Sequence, residues 1–288
     1  MKTQPEISIV TPSFRGERWL PLCIASVADQ QISREHIVQD AGSDDGTLDW
    51  LPTDTRVRAF VEKDQGMYDA VNRGFRRATG DLLAYLNCDE QYLPHALKRV
   101  TGFFKQHPEV DILFGDCLVV DAKGEYICER RSLTPRLIHT WTASNLSFLT
   151  AATFVRRRVL EERQLWFNEV FRDAGDQDWA LRVVRAGIRT AVLPEFLSVF
   201  TETGANMNLG ANASRERRLF HATAPWWARL FAPLALAHHR VRRWRAGHYR
   251  STPHDYAIYT RDSLQVRQRF QVTHPTFRWM RPAAATAD

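Results

Sequence analysis

The 288-residue chain is 44% hydrophobic and 25% charged, which supplies a real core and excludes a wholly disordered protein. Its formal net charge of +6 favours an anionic partner, whether small molecule, nucleic acid or lipid, without choosing among them. No apolar run reaches the roughly 18 residues of a conventional membrane span, and the cysteines Cys23, Cys88, Cys117 and Cys128 have neither metal-site spacing nor disulfide-scaffold density.

The first apolar run, Ile7-Ser8-Ile9-Val10, is β-prone, and Thr11-Pro12-Ser13 closes it before a helix expected near Arg18. The chain enters this strand without the apolar stretch of a secretory signal, so a reducing cytoplasmic setting is expected. A second strand around His36-Ile37-Val38 ends in the polar loop Asp40-Ala41-Gly42-Ser43-Asp44-Asp45-Gly46-Thr47. A third run at 57–61 leads through Glu62-Lys63-Asp64-Gln65-Gly66 to helical spacing over 68–78.

Residues 82–86 read as a buried parallel strand that meets Asn87-Cys88-Asp89-Glu90 at its C-terminal end, and a helix follows near Pro94. The acids beside Cys88 would raise its thiol pKa, which argues against a nucleophile. Residues 110–120 form another strand, and 138–151 read as a loop or as a wall of an acceptor site. A helix over 176–186 and a strand over 190–200 complete the pattern. Alternating strands and helices predict an α/β domain with a mostly parallel, Rossmann-like sheet and flanking helices. Ligands of such sheets gather beyond the C-terminal strand ends, where Thr11, Asp40, Asp64 and Asp89 all fall.

The texture changes after Thr201, dividing the chain into residues 1–204 and a basic, aromatic appendage, 205–288, that is helical in part. The stretch 225–237 is too short for a span. It could cover the parent domain with an exposed basic face, or place Trp226, Trp227 and Phe231 in an anionic membrane surface with Arg240, Arg242 and Arg243 on the headgroups. No base-reading motif accompanies it, which speaks against nucleic acid.

In this order the motifs Ile7-Ser8-Ile9-Val10-Thr11-Pro12-Ser13-Phe14, the Asp40 loop, Asp64-Gln65-Gly66-Met67-Tyr68-Asp69-Ala70-Val71-Asn72-Arg73-Gly74, Ala78-Thr79-Gly80-Asp81, Leu86-Asn87-Cys88-Asp89-Glu90 and Asp176-Gln177-Asp178-Trp179-Ala180-Leu181-Arg182 resemble the family 2 glycosyltransferases of bacterial surface-polysaccharide synthesis. The resemblance implies a glycosyltransferase A fold and inverting transfer of a sugar from a nucleoside diphosphate sugar to a hydroxyl acceptor, a saccharide or lipid-linked saccharide; the expected location is cytoplasmic, at the inner face of the cytoplasmic membrane if the appendage takes the membrane reading. It implies donor-binding roles for Thr11, Asp40, Asp64, Asn87 and Asp89, with Asp40 on the base edge. Asp89 would hold Mg²⁺ or Mn²⁺ against the diphosphate, and Asp176 would be the general base. Two positions depart from the family pattern: Asn87 stands for the first acid of the aspartate-x-aspartate motif, and Gly175 stands where many relatives carry glutamate.

The chemistry fits these types. A departing diphosphate gains negative charge that a hard cation on oxygen ligands stabilises, and an acceptor hydroxyl needs a carboxylate to take its proton. Plainer readings stand beside each role: a turn or cap acid at Asp89, a turn former at Asn87, an Asx turn at Asp40, a loop acid at Asp64 and a helix N-terminal acid at Asp176. Glu90, Asp178 and Trp179 are supporting candidates, with Trp179 able to pack the helix or line the acceptor pocket. Two other functions use the same features, a non-catalytic nucleotide-sugar-binding scaffold and a nucleotidyltransferase.

Overall fold

The structure, a computed structural model, describes residues 5–142, 146–204, 206 and 211–279. Its first half alternates β1 (Ile7–Ser13), α1 (Leu20–Ala28), β2 (Arg34–Asp40), α2 (Thr47–Trp50), β3 (Arg58–Val61), α3 (Met67–Arg77) and β4 (Leu82–Tyr85). The four strands lie parallel in the order β3-β2-β1-β4. Then come β5 (Gln91–Tyr92), α4 (Ala96–Gln106), β6 (Ile112–Asp121), β7 (Tyr126–Arg130), α5 (Leu137–Thr142), β8 (Thr153–Arg156), α6 (Arg157–Glu161), α7 (Gly175–Arg185) and β9 (Thr190–Glu202).

The sheet continues from β4 through β8, β6 and β9 to β5, with β7 paired to β6. Strand β8 is antiparallel to β4 and β6, whereas β6 and β9 are parallel. The expected α/β architecture is therefore present, with β8 inserted as an antiparallel divider. The segment expected as a loop or wall holds α5 at its start; its residues 143–145 lie outside the described residues, as do residues 1–4 at the N-terminus.

Side-chain alternation explains the two-sided core. Ile7 and Ile9 of β1, with Leu82 and Ala84 of β4, pack toward α1 and α4, while Val10, Leu83 and Tyr85 pack toward α3 and α7.

The C-terminal part contains α8 (Ala211–Ala222), α9 (Trp226–Leu230), α10 (Ala232–Arg245) and an antiparallel hairpin of β10 (His254–Thr260) and β11 (Ser263–Val272). The helices match the expectation, and the hairpin adds to it. Tyr256, Ile258 and Phe270 pack on Leu118, Val120 and Val199, and Phe220, Ala224 and Ala228 pack on Trp141 and Leu181. Among the described residues no helix is long and apolar enough to cross a membrane.

Candidate active site

Strand register assembles the site. Ser13 pairs with Asp40 and Asp40 with Val61, so the ends of β1, β2 and β3 are level. The Leu86 N–H donates to the Val10 carbonyl at 2.9 Å, carrying the Asn87–Asp89 loop to the same edge. Such an edge is where open α/β sheets bind ligands.

Asp40 is fully buried, and its carboxylate accepts from Gly42 N at 2.9 Å, Ser43 N at 2.7 Å and Ser43 Oγ at 2.8 Å. It thus forms the Asx turn that shapes its own loop. Thr11 lies inside β1, and its buried hydroxyl meets His36 Nε2 at 2.9 Å and Cys23 Sγ at 3.5 Å. The strand pleat directs it toward α1. Ser13, two residues on, has a buried hydroxyl with no hydrogen-bond partner among the described residues. Arg15 ties this edge to the Asp40 loop through a bidentate pair with Asp44 at 2.6 and 2.8 Å.

Asp64 accepts from Gly66 N at 2.9 Å. Burial raises its pKa, the Gly66 N–H works against that, and the charges of Asp69 and Asp40 add to the rise. The nearby arginines are paired: Arg73 grips Asp69 through two bonds of 2.8 and 2.7 Å, Arg76 approaches Glu169 at 3.6 Å, and Arg77 meets Glu62 at 2.7 Å.

The Asn87-to-Glu90 turn is closed from both ends. The Glu90 N–H donates to the Asn87 carbonyl at 3.0 Å, and Glu90 Oε2 accepts from Asn87 N at 2.9 Å. Glu90 is buried, Asp89 half-buried. Burial raises both carboxyls, and the Asp89 charge raises Glu90 further. Burial first and Asp89 second also raise the Cys88 thiol, in line with an inert cysteine. Asp89 Oδ2 accepts a long bond, 3.3 Å, from Asn206 Nδ2.

A half-buried carboxylate whose pKa is raised by desolvation, against a hydrogen bond from its own backbone N–H, is a chemically suitable ligand for a divalent cation. Among the described residues no cluster of three ligating acids, histidines or cysteines surrounds it. Mg²⁺ commonly needs only one or two carboxylates, completing its shell with phosphate oxygens and water, so Asp89 fits that donor set.

Asp176 opens α7, half-buried. Its N–H donates to the Tyr68 hydroxyl at 3.0 Å, and its Oδ1 accepts from Gln177 N at 2.8 Å. Burial pushes its pKa up to about 6. Tyr85, the last residue of β4, is raised by burial first and then by the charge of Asp176, with Glu90 contributing too. Asp176 and the Asn87-to-Glu90 turn therefore act on one side chain at one strand end.

Gly175 has a steric reason. A Cβ there would lie 2.6 Å from Tyr68 Cε2 and 2.8 Å from Cδ2, inside a ring that is itself buried and stacked on Phe167 at 5.3 Å. The glycine and Tyr68 form one complementary pair, so a glutamate at this position would require another residue at 68. Asp178 pairs with Arg182 at 2.7 Å one helical turn away. Trp179 is 1% exposed, stacks on Phe167 at 5.2 Å and donates to the Leu165 carbonyl at 2.8 Å. It packs the helix rather than lining an open pocket.

Glu216, from the C-terminal part, was not singled out in the sequence. Its carboxylate accepts from the backbone N–H groups of Arg172, Asp173 and Ala174, each at 2.9 Å, and from Asn212 Nδ2 at 3.0 Å. Burial opposes ionisation there, but these donors prevail and hold its pKa below the ordinary value. The segment entering α7 is thereby fixed from α8, and so is the placement of Asp176. Glu216→Ala strands three backbone donors, and a hydrogen bond to a charged group is worth about 1.5–3 kcal/mol. A loss of stability of that order is expected in urea unfolding, with Glu216→Gln intermediate.

Comparison with known proteins follows the same lines. The profile described as Glycosyl transferase family 2 matches residues 8–163. A PGL/p-HBAD biosynthesis glycosyltransferase of Mycobacterium tuberculosis is 36% identical over 122 residues, covering 40% of this chain and 48% of the relative. The chain thus spans about half the length of that curated relative. The uncharacterized glycosyltransferase EpsJ of Bacillus subtilis is 24% identical over 216 residues, 69% of this chain and 61% of its own. Among solved structures, S. aureus TarS 1-349 in complex with UDP-GlcNAc superposes with a TM-score of 0.60 at 18% identity, over 83% of this chain and 73% of that one. The mannosyltransferase PcManGT of Pyrobaculum calidifontis, with GDP-Man and Mn²⁺, gives 0.53 at 18% identity, over 83% and 76%. These likenesses establish the glycosyltransferase A fold.

Proposed function

The chain belongs to glycosyl transferase family 2, and from that premise we propose that it transfers a sugar, with inversion, from a nucleoside diphosphate sugar to a hydroxyl of a saccharide or lipid-linked saccharide, in surface polysaccharide or glycolipid synthesis. The observation that carries this reading is the placement of two half-buried carboxyls, Asp89 on the turn that follows β4 and Asp176 at the start of α7, where its N–H is held by the Tyr68 hydroxyl. Each is poised for a different half of the reaction.

The donor lies across the ends of β1, β2 and β3. Ser13, with its unpartnered hydroxyl, and Asp64 meet the nucleotide, while Thr11 and Asp40 hold the pocket's shape from behind. Asn87 and Asp89 face the diphosphate. Asp89 would hold Mg²⁺ or Mn²⁺, which when bound would supply positive charge to the departing nucleoside diphosphate. Asp176 takes the proton of the acceptor hydroxyl as its oxygen attacks the anomeric carbon from the side opposite the diphosphate. Tyr68 and Glu216 hold that base in place. Glu90 supports the turn carrying Asp89, and Asp178 and Trp179 support α7.

Residues 1–204 act as the donor-handling unit in this proposal, and 205–288 complete it by fixing the base segment. A saccharide acceptor on a lipid carrier would bring the work to the inner face of the cytoplasmic membrane. The experiment incubates purified protein with a panel of nucleotide sugars, lipid extract and Mg²⁺ or Mn²⁺, and follows products by mass. Nucleoside diphosphate with a new glycoside is the expected result. Pyrophosphate released from a nucleoside triphosphate would move the reading to nucleotidyl transfer, and donor binding without product across the panel would move it to a binding module.

A further inference from the structure

The outward side of α9 and α10 is built the reverse of a helix that meets water alone. The small side chains Ala228 and Ala235 are buried, whereas Trp226, Leu230, Leu234 and Trp244 are 72, 64, 66 and 65% exposed. In α10, Leu234, Ala237, Val241 and Trp244 recur at the spacing of one helical stripe, and all four are exposed. With about 3.6 residues per turn, the exposed Arg240 and Arg245 fall on its two sides. Large apolar groups shown to solvent in a contiguous stripe mark an interaction surface.

Charge narrows the partner. Residues 211–250 contain nine arginines and one acid, Glu216, and that acid is spent on backbone donors. Arg242 turns inward to Thr134 and His139, but Arg229, Arg240, Arg245 and Arg250 remain exposed. A short amphipathic element with tryptophan and leucine on one face and arginine beside them matches the interface of an anionic bilayer, where apolar groups enter the acyl boundary and guanidinium groups meet phosphates.

We propose that the outward face of α9 and α10 docks on an anionic lipid bilayer, with Trp226, Leu230, Leu234 and Trp244 in the interfacial layer and Arg240 and Arg245 on lipid phosphates. The same run of helices begins with α8, whose Glu216 fixes the approach to Asp176. Docking would tether the catalytic domain to the surface that presents a lipid-linked hydroxyl; this consequence rests on the transferase reading, whereas the docking does not.

The test sediments the full chain with vesicles of mixed phosphatidylglycerol and phosphatidylcholine and with phosphatidylcholine alone. Binding to the anionic vesicles should be stronger by about tenfold or more. The variant carrying Trp226→Ser, Leu234→Ser and Trp244→Ser should lose binding by about tenfold or more, with its circular dichroism and melting midpoint unchanged. Wild-type protein that stays in the supernatant, or a variant that binds as well as wild type, overturns the proposal. So does a face that instead joins two copies, seen as concentration-dependent dimerisation lost in the variant without vesicle binding. Transfer to a water-soluble acceptor should be equal in both proteins; its absence from both would count against the transferase reading and leave the vesicle result standing.

Discussion

Asp176→Asn should lower the rate of transfer by about 10²- to 10⁴-fold, the usual contribution of a positioned general base, while leaving donor affinity unchanged. The substitution keeps an oxygen to accept from Gln177 N and leaves the backbone bond to Tyr68 intact, so what it removes is the basic group. In the wild type, activity should rise with pH up to about 6, where Asp176 ionises, and level off above that. Stability should move the other way. The folded pKa lies above the ordinary 3.8, so this group's favourable contribution is full below that value and lost as pH rises through about 6. At neutral pH the buried charge is therefore a burden, on the order of 3 kcal/mol, and Asp176→Asn should be more stable than wild type at pH 7, with most of the difference gone near pH 4. Urea unfolding at the two pH values, with kcat/KM profiles, reads both effects. A variant that retains wild-type transfer would remove Asp176 from the base role.

The parallel half of the fold is legible because each strand from β1 to β4 has a short apolar or β-branched core and gives way to a polar segment, glycine-containing after β1, β2 and β3 and the Asn87-Cys88-Asp89-Glu90 turn after β4. Asp40 closes β2, and Asp64 and Asn87-Cys88-Asp89 follow within four residues of the ends of β3 and β4, so their arrival at one edge follows from the parallel topology. The antiparallel divider β8 is harder to see, because Thr153-Phe154-Val155-Arg156 is four residues long and runs straight into α6. The hairpin of β10 and β11 hides for a different reason. Its turn at Arg261-Asp262 carries no glycine, and the apolar alternation is plain only once Tyr256 is seen opposite Phe270, their rings 5.1 Å apart.

Side-chain commitments were less legible than positions. Nothing in the Asp40 loop says that both carboxylate oxygens turn inward on Gly42 and Ser43. Glu216 sits in an Arg-Glu-Arg-Arg run, and only the folded chain brings it to Arg172, Asp173 and Ala174. Gly175 reads as a departure from the family until the Tyr68 ring is found in the space its side chain would need.

Asp89→Asn carries the other large effect. Leaving-group stabilisation by a bound divalent ion is worth several kcal/mol, so transfer should fall by about 10³-fold or more, and the gain in donor affinity on adding Mn²⁺ should disappear. Affinity measured without the ion should change little, because the ends of β1, β2 and β3 are untouched. Glu90 makes the prediction sharper. It is buried against Asp89 and its pKa is raised by burial and by that neighbour's charge, so the two carboxyls resist ionising together. A cation held at Asp89 favours the fully ionised pair, and binding of Mn²⁺ with donor near pH 6 should release a proton. Calorimetry in two buffers of different ionisation enthalpy measures that release directly, and Asp89→Asn should abolish it. Proton release of wild-type size from the variant would show that the cation is held elsewhere, and Asp89 would then be the turn acid that its place after β4 equally permits.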